Sequence, residues 1–201
     1  MRRVAAVLAL VVAACLTTGA PAYAAQEGPR RDHVTPSADG VYVIGDSLTY
    51  RGRSQLLDLQ PGWSVNGVNG RPVSAMPRLV RNILRTDRDP AAVVVALGSN
   101  PSRGWSAESL RRTVALLPAE TYVVLVTTYK SSRWPRHGVR MTARYNRWMT
   151  QLAAVRPATC TAPWSEAAAA HREWLVDGLH ATARGYVERA QLISDTLFDC
   201  E

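Results

Sequence analysis

From residue 41 onward two hydrophobic patterns alternate along the chain. Val41–Gly45, 91–97 and 121–127 are runs dominated by apolar residues and bounded by turn formers. Apolar side chains at successive positions point to opposite faces of a strand, so such runs belong to strands covered on both sides. Weaker runs at 63–65 and 159–161 read as a second and a last strand. Between them the spacing changes to threes and fours. Residues 73–85 place Met76, Leu79, Val80 and Ile83 on one helical face. Residues 106–117 open with Ser-Ala-Glu-Ser, a self-capping start, and repeat Leu110, Val114 and Leu117. Residues 141–155 carry Tyr145, Trp148, Met149 and Leu152, and 181–197 carry Tyr186, Ala190, Ile193 and Leu197. Strand and helix in alternation predict an α/β domain, a three-layer α/β/α sandwich around a flavodoxin-like parallel sheet. In such a sheet the functional residues lie just after the carboxyl ends of strands.

The pattern is absent from the first 40 residues. Met1-Arg2-Arg3 is a basic start, residues 4–14 are apolar throughout but too few to span a bilayer, and Ala22-Tyr23-Ala24 ends in small residues. This is a secretory signal peptide over 1–24, cut before Ala25. A rival site, Val12-Ala13-Ala14-Cys15, resembles the lipobox of bacterial lipoproteins and would leave Cys15 lipid-anchored at the cell surface. Residues 25–40, rich in charge, Pro, Ser and Gly, read as a flexible leader, and 41–201 as the domain.

Composition narrows the class. The 201 residues are 47% hydrophobic and 20% charged, enough to bury one core, which excludes a fibrous protein, a multi-spanning membrane protein and a disordered tail. The formal charge of +8 falls to +6 without Arg2 and Arg3. Basic residues are scattered rather than gathered into a stripe, so the excess reads as a solvated arginine-biased surface and no nucleic-acid partner is expected. Lys130 is the single lysine among the 24 basic residues. In an exported chain Cys160 and Cys200 are expected to form a disulfide, tying the tail after the last helix to the strand beside it. The four histidines make no HExxH pair or Cys/His cluster, and Gly67-Val68-Asn69-Gly70 lacks the lysine of a phosphate loop and the third glycine of a dinucleotide fingerprint. Neither a metal nor another cofactor is expected.

Four short motifs carry the chemistry. Gly45-Asp46-Ser47-Leu48 follows the first strand, Asn69-Gly70-Arg71 the second and Gly98-Ser99-Asn100 the third, while Asp177-Gly178-Leu179-His180 precedes the last helix. Each alone is weak, because Ser, Asp, Asn and Gly are ordinary cap and turn residues. Together, in order and at strand ends, they resemble the SGNH, or GDSL, hydrolases, whose signature residues match Ser47, Gly70, Asn100 and His180. The resemblance spans 41–197 and implies a serine esterase. Ser47 would be the nucleophile, His180 its general base and acid, and Asp177 the carboxylate that orients the imidazole. The oxyanion hole would comprise the backbone N–H groups of Ser47 and Gly70 and the side-chain amide of Asn100. Many family members have Asp after the asparagine; here it is Pro101, which removes a backbone donor without touching the Asn100 amide.

The C-terminal half, with Trp134, Asn146, Trp164 and Trp174, is similar to extracellular SGNH domains of surface-glycan O-acetyltransferases. The tryptophans read either as packing or as sugar-stacking platforms. Three activities remain open: hydrolysis of small acyl, chiefly acetyl, esters; O-acyl transfer to a cell-wall or surface glycan by the same residues; and non-catalytic glycan binding. The expected partner is a small acyl ester or acylated glycan, acted on by a secreted monomer. Intact-mass analysis of the exported protein should give an N-terminus at Ala25. A lipid-modified Cys15 at the N-terminus would overturn that assignment in favour of the lipobox.

Overall fold

The computed structural model describes residues 34–200. The expected signal peptide, Cys15 and most of the leader lie outside the described residues. Five strands form one sheet: β1 (Val41–Gly45), β2 (Ser64–Gly67), β3 (Ala92–Ala96), β4 (Tyr122–Val126) and β5 (Thr159–Ala162). Their order is β2-β1-β3-β4-β5 and every neighbouring pair is parallel. This is the flavodoxin-like arrangement that strand–helix alternation predicts. The chain turns outward from β1 to β2 and then returns to the other side of β1 with β3, so the loops after β1 and β3 diverge and leave a crevice.

Among the described residues seven helices cover the sheet: α1 (Ser47–Arg51), α2 (Arg53–Leu59), α3 (Met76–Thr86), α4 (Ala107–Val114), α5 (Arg136–Ala153), α6 (Trp164–Ala170) and α7 (Ala183–Phe198). The strand period of two divides the core into two layers. Tyr42, Ile44, Val93, Val95, Val123 and Leu125 face α3, α4 and α5. Val41, Val43, Val94, Val124 and Val126 face the side occupied by Leu56 of α2, Trp164 of α6 and Tyr186, Ala190 and Ile193 of α7. Every residue of β1 and β3 is buried, which is why those runs show no polar alternation. The helical stripes behave as their spacing predicts, with Met76, Leu79, Val80 and Ile83 all fully buried.

Several boundaries differ from the sequence pattern, each for a local reason. A 3₁₀ turn at Val73–Ala75 precedes α3, whose first turn contains Pro77. Helix α5 starts at Arg136, directly after Pro135, ahead of the periodic stretch from 141, because Gly138 interrupts the apolar stripe in its first turns. Helices α1, α2 and α6 have no counterpart in the pattern reading. They are five to seven residues long, too short for two turns of periodicity, and α6 is largely alanine. Of the segment read as a leader, Val34 is buried, whereas Thr35, Pro36, Ala38 and Asp39 are exposed. Val34 joins the first core layer, and the Ser37 hydroxyl donates to Gly62 O (2.8 Å) and accepts from Val41 N–H (3.0 Å).

Cys160 on β5 and Cys200 just beyond α7 form a disulfide, with Cα atoms 5.8 Å apart and a sequence separation of 40. It ties the C-terminal tail to an edge of the sheet. Closing a loop of that length constrains the unfolded chain by about 4 kcal/mol in the chain-entropy treatment. Replacing both cysteines with serine should therefore lower Tm by roughly 8–16 °C. Thiol titration of the unfolded, unreduced protein should find no reactive thiol; two reactive thiols would overturn the bridge.

Candidate active site

All four motifs converge at the carboxyl ends of the strands. Ser47 begins α1 directly after β1, Gly70 follows β2, and Asn100 follows β3 on the other side of the crevice. His180 and Asp177 sit in the loop between α6 and α7. The Ser47 hydroxyl lies 3.0 Å from His180 Nε2, and His180 Nδ1 lies 2.7 Å from Asp177 Oδ2. An ionised carboxylate only accepts, so the imidazole hydrogen belongs on Nδ1 and Nε2 is left with a lone pair toward the serine.

The Asp177 loop holds that geometry with its own backbone. Asp177 Oδ1 accepts the N–H groups of Leu179 (3.0 Å) and His180 (2.8 Å), which leaves Oδ2 for the ring. Burial pulls the Asp177 carboxyl upward. Hydrogen bonds from the His180 ring and from the His180 and Leu179 amides outweigh it and hold the group below the usual carboxylate value. The loop closes through Val176 N–H to His180 O (2.8 Å) and a bridge between Leu175 and Ala181. Gly178 has φ +80°, a left-handed conformation that disfavours a side chain, and a Cβ there would run into the Ser131 side chain. Ser131 N–H in turn donates to Gly178 O (2.9 Å), fastening the loop to the segment after β4.

Asp46, fully buried beside the candidate nucleophile, reaches across the crevice. Its Oδ1 caps α1 by accepting Leu48 N–H (3.1 Å), and its Oδ2 accepts both the N–H (3.2 Å) and the hydroxyl (2.6 Å) of Ser99. Ser99 Oγ also receives Asn100 Nδ2 (3.1 Å). The same amide nitrogen donates to Arg71 O (3.2 Å), one residue after Gly70, so the two expected oxyanion donors are neighbours. Gly70 has φ +68°, and the space where a Cβ would stand is open. The buried Arg71 guanidinium donates to Gly45 O (2.8 Å), Asn66 O (2.7 Å) and Asn66 Oδ1 (2.6 Å), locking the ends of β1 and β2 together. The links from Gly70 and Asn100 to Ser47 thus run through Arg71–Gly45 and Ser99–Asp46. A cavity of about 310 Å³ opens beside Gly70, lined also by Asn69, Pro72 and Arg78. Another of about 270 Å³ opens beside Gly178, lined also by Tyr129, Arg133 and Arg172.

Sequence reasoning quoted Asp46, Ser99 and Arg71 as motif neighbours but assigned them no role. A helix beginning at Ser47 would have pointed to Asp46 as its cap, whereas no sequence signal marks Arg71 as a buried clamp. The tryptophans divide toward packing. Trp164 is wholly buried, His171 lies flat on Trp174 at 4.1 Å, and Trp134 meets the His180 ring edge-on at 6.3 Å. Asn146, on α5, spans the backbone of Thr128 by accepting its N–H (3.0 Å) and donating to its carbonyl (2.9 Å). Pro101 falls between two anchored residues: Asn100 O accepts Val73 N–H (3.2 Å), and Ser102 N–H donates to Tyr145 OH (3.1 Å). Among the described residues no group of three His, Cys, Asp or Glu could hold a metal, and no helix is long and apolar enough to cross a membrane.

Comparison with solved structures gives the fold a context. The chain is similar to the C-terminal catalytic domain of peptidoglycan O-acetyltransferase A from Streptococcus pneumoniae, at TM-score 0.68 and 24% identity over 82% of this chain and 93% of that one. An acetylxylan esterase from Geobacillus stearothermophilus matches at 0.61 and 15%, covering 81% and 95%. A family 3 carbohydrate esterase from Clostridium thermocellum matches at 0.61 and 18%, covering 79% and 94%. The fold is therefore that of the SGNH/GDSL hydrolases. No protein-family model and no curated protein matches the chain.

Asp46→Ala removes the cap of α1 and strands two buried Ser99 donors. A loss of about 2–4 kcal/mol is expected, seen as a Tm decrease of roughly 5–15 °C in thermal unfolding. An unchanged Tm would show that Asp46 does not hold the two loops together.

Proposed function

We propose that this chain is an exported serine esterase that hydrolyses small acyl esters, acetyl foremost, on small molecules or glycans. The observation that carries the reading is the unbroken hydrogen-bonded series from Ser47 through His180 to Asp177, at 3.0 and 2.7 Å. In this mechanism His180 Nε2 takes the Ser47 proton as Oγ attacks the ester carbonyl carbon. The carbonyl π electrons move onto oxygen, which the N–H groups of Ser47 and Gly70 and the Asn100 amide receive. Collapse breaks the C–O bond to the alcohol, which leaves with the proton from His180. Water then attacks the acyl-serine by the same steps and releases the carboxylic acid. Asp177 stays ionised throughout, holding Nδ1–H and offsetting the charge of the transient imidazolium. No step calls on a cofactor.

The structural neighbours include two carbohydrate esterases, which supports an ester of a sugar hydroxyl as substrate. Export rests on the signal pattern of residues 1–24. A second reading, O-acyl transfer, is favoured by the likeness to the catalytic domain of a peptidoglycan O-acetyltransferase. The acyl-serine is common to both, and only the second nucleophile differs, water or a sugar hydroxyl. Product analysis with and without a glycan acceptor separates them: free acid alone supports hydrolysis, and acylated acceptor supports transfer.

Ser47→Ala and His180→Ala should each lower kcat by about 10⁴–10⁶, because the two act as one unit, while Asp177→Ala should lose less. Asn100→Ala should lose about 10²–10³ in kcat with little change in KM. Steady-state hydrolysis of p-nitrophenyl esters of increasing acyl length, with melting curves for each variant, measures all four. Near-normal turnover by folded Ser47→Ala would sink the mechanism. A serine-directed organophosphorus reagent should label Ser47, and labelling elsewhere would identify a different nucleophile.

A further inference from the structure

The one lysine in a chain that otherwise uses arginine lies where the two halves of the candidate site meet. Lys130 follows β4, in the segment that packs against the Asp177–His180 loop, and is half-buried. Its Nζ donates to Ser99 O at 2.6 Å and stands 5.0 Å above the ring of Trp134. Trp134 donates its Nε1–H to Asp177 O (3.2 Å) and packs its ring edge-on to His180. One ammonium therefore touches both Ser99, whose Oγ accepts the Asn100 amide, and the ring that packs against the Asp177–His180 loop. Ser99 has no freedom left apart from this contact, since its N–H and hydroxyl are committed to Asp46 and its Oγ also receives Asn100 Nδ2.

We propose that Lys130 is a positioning residue that holds the Ser99–Asn100 segment, and with it the Asn100 amide, in place from its seat over the Trp134 ring. The inference rests on the esterase reading above, since it names how the oxyanion amide of that site is held. An ammonium suits the place. It is a compact point donor that serves a single carbonyl while lying over an aromatic face, whereas a guanidinium is a planar fork made for paired acceptors. Burial pulls the Lys130 ammonium below the ordinary lysine value of 10.5, and the charge of Asp46 acts against that shift. Lys130 acts through Asn100 rather than on substrate, so its removal should impair the transition state and leave substrate binding alone.

The test is a double-mutant cycle on the mature protein with p-nitrophenyl acetate, using Lys130→Met, Asn100→Ala and the double variant, with melting curves for each. Lys130→Met should lower kcat by about 10–100-fold with KM within about threefold of wild type. In the Asn100→Ala background the same substitution should cost less than about threefold more, because the group it positions is already gone. Lys130→Ala, which likewise removes the donor to Ser99 O, enters the same cycle with the same expectations if Lys130→Met does not fold. A kcat unchanged by the Lys130 substitution, or losses that multiply in the double variant, overturns the inference. If Ser47→Ala and Asn100→Ala themselves turn over normally, it is the esterase reading that fails.

Discussion

Asp46 is a carboxylate with no exposure to water, one residue before the candidate nucleophile. A group that polar is stable in the interior only if donors surround it, and its donors come from two separate loops. Leu48 supplies an N–H from the start of α1, and Ser99 supplies an N–H and a hydroxyl from the far side of the crevice. Satisfying one side chain thus joins the segment after β1 to the segment after β3. Lys130, held against Ser99 O, and Arg189, wholly buried on α7, bring positive charge toward it. For Arg189, burial depresses the pKa and Asp46 opposes that shift.

The two halves of the site are built by different means. The proposed acid–base half is local. Asp177 and His180 are three residues apart in one loop, and the carboxylate binds the ring and the backbone of that loop at once. The proposed oxyanion half is assembled from afar. Gly70 and Asn100 come from loops separated in sequence, brought together by Arg71, whose carbonyl takes the Asn100 amide and whose guanidinium grips the ends of β1 and β2. Buried Asp46, Asn66, Arg71 and Ser99 all lie at this end of the sheet.

Much of the layer structure is legible in the pattern of residues. The 91–97 run is hydrophobic on both faces and becomes β3, buried throughout. The stripe Met76, Leu79, Val80 and Ile83 becomes the buried face of α3. The short helices are not legible, because five to seven residues hold too little periodicity and α1 overlaps a motif that reads equally well as a turn. The tryptophans are ambiguous in sequence for a different reason: a large ring serves a core and a sugar face alike. Only neighbours decide, and for Trp164 and Trp174 those neighbours are other rings.

The alternation of the five strands with the longer helices, the pairing of Cys160 with Cys200 and the four motif positions are legible in sequence alone. They depend on local periodicity, on redox context and on residues that sit at strand ends by chain order. What binds those positions to one another was decided by tertiary structure. Nothing in sequence says that Asp46 faces Ser99, that Arg71 is buried beneath two strand ends, or that Lys130 spans Ser99 and Trp134. Such contacts join residues that are far apart in the chain. Their partners are chosen by strand order and by the need of each buried polar group for a donor or acceptor, a need that exists only once the sheet has closed around it.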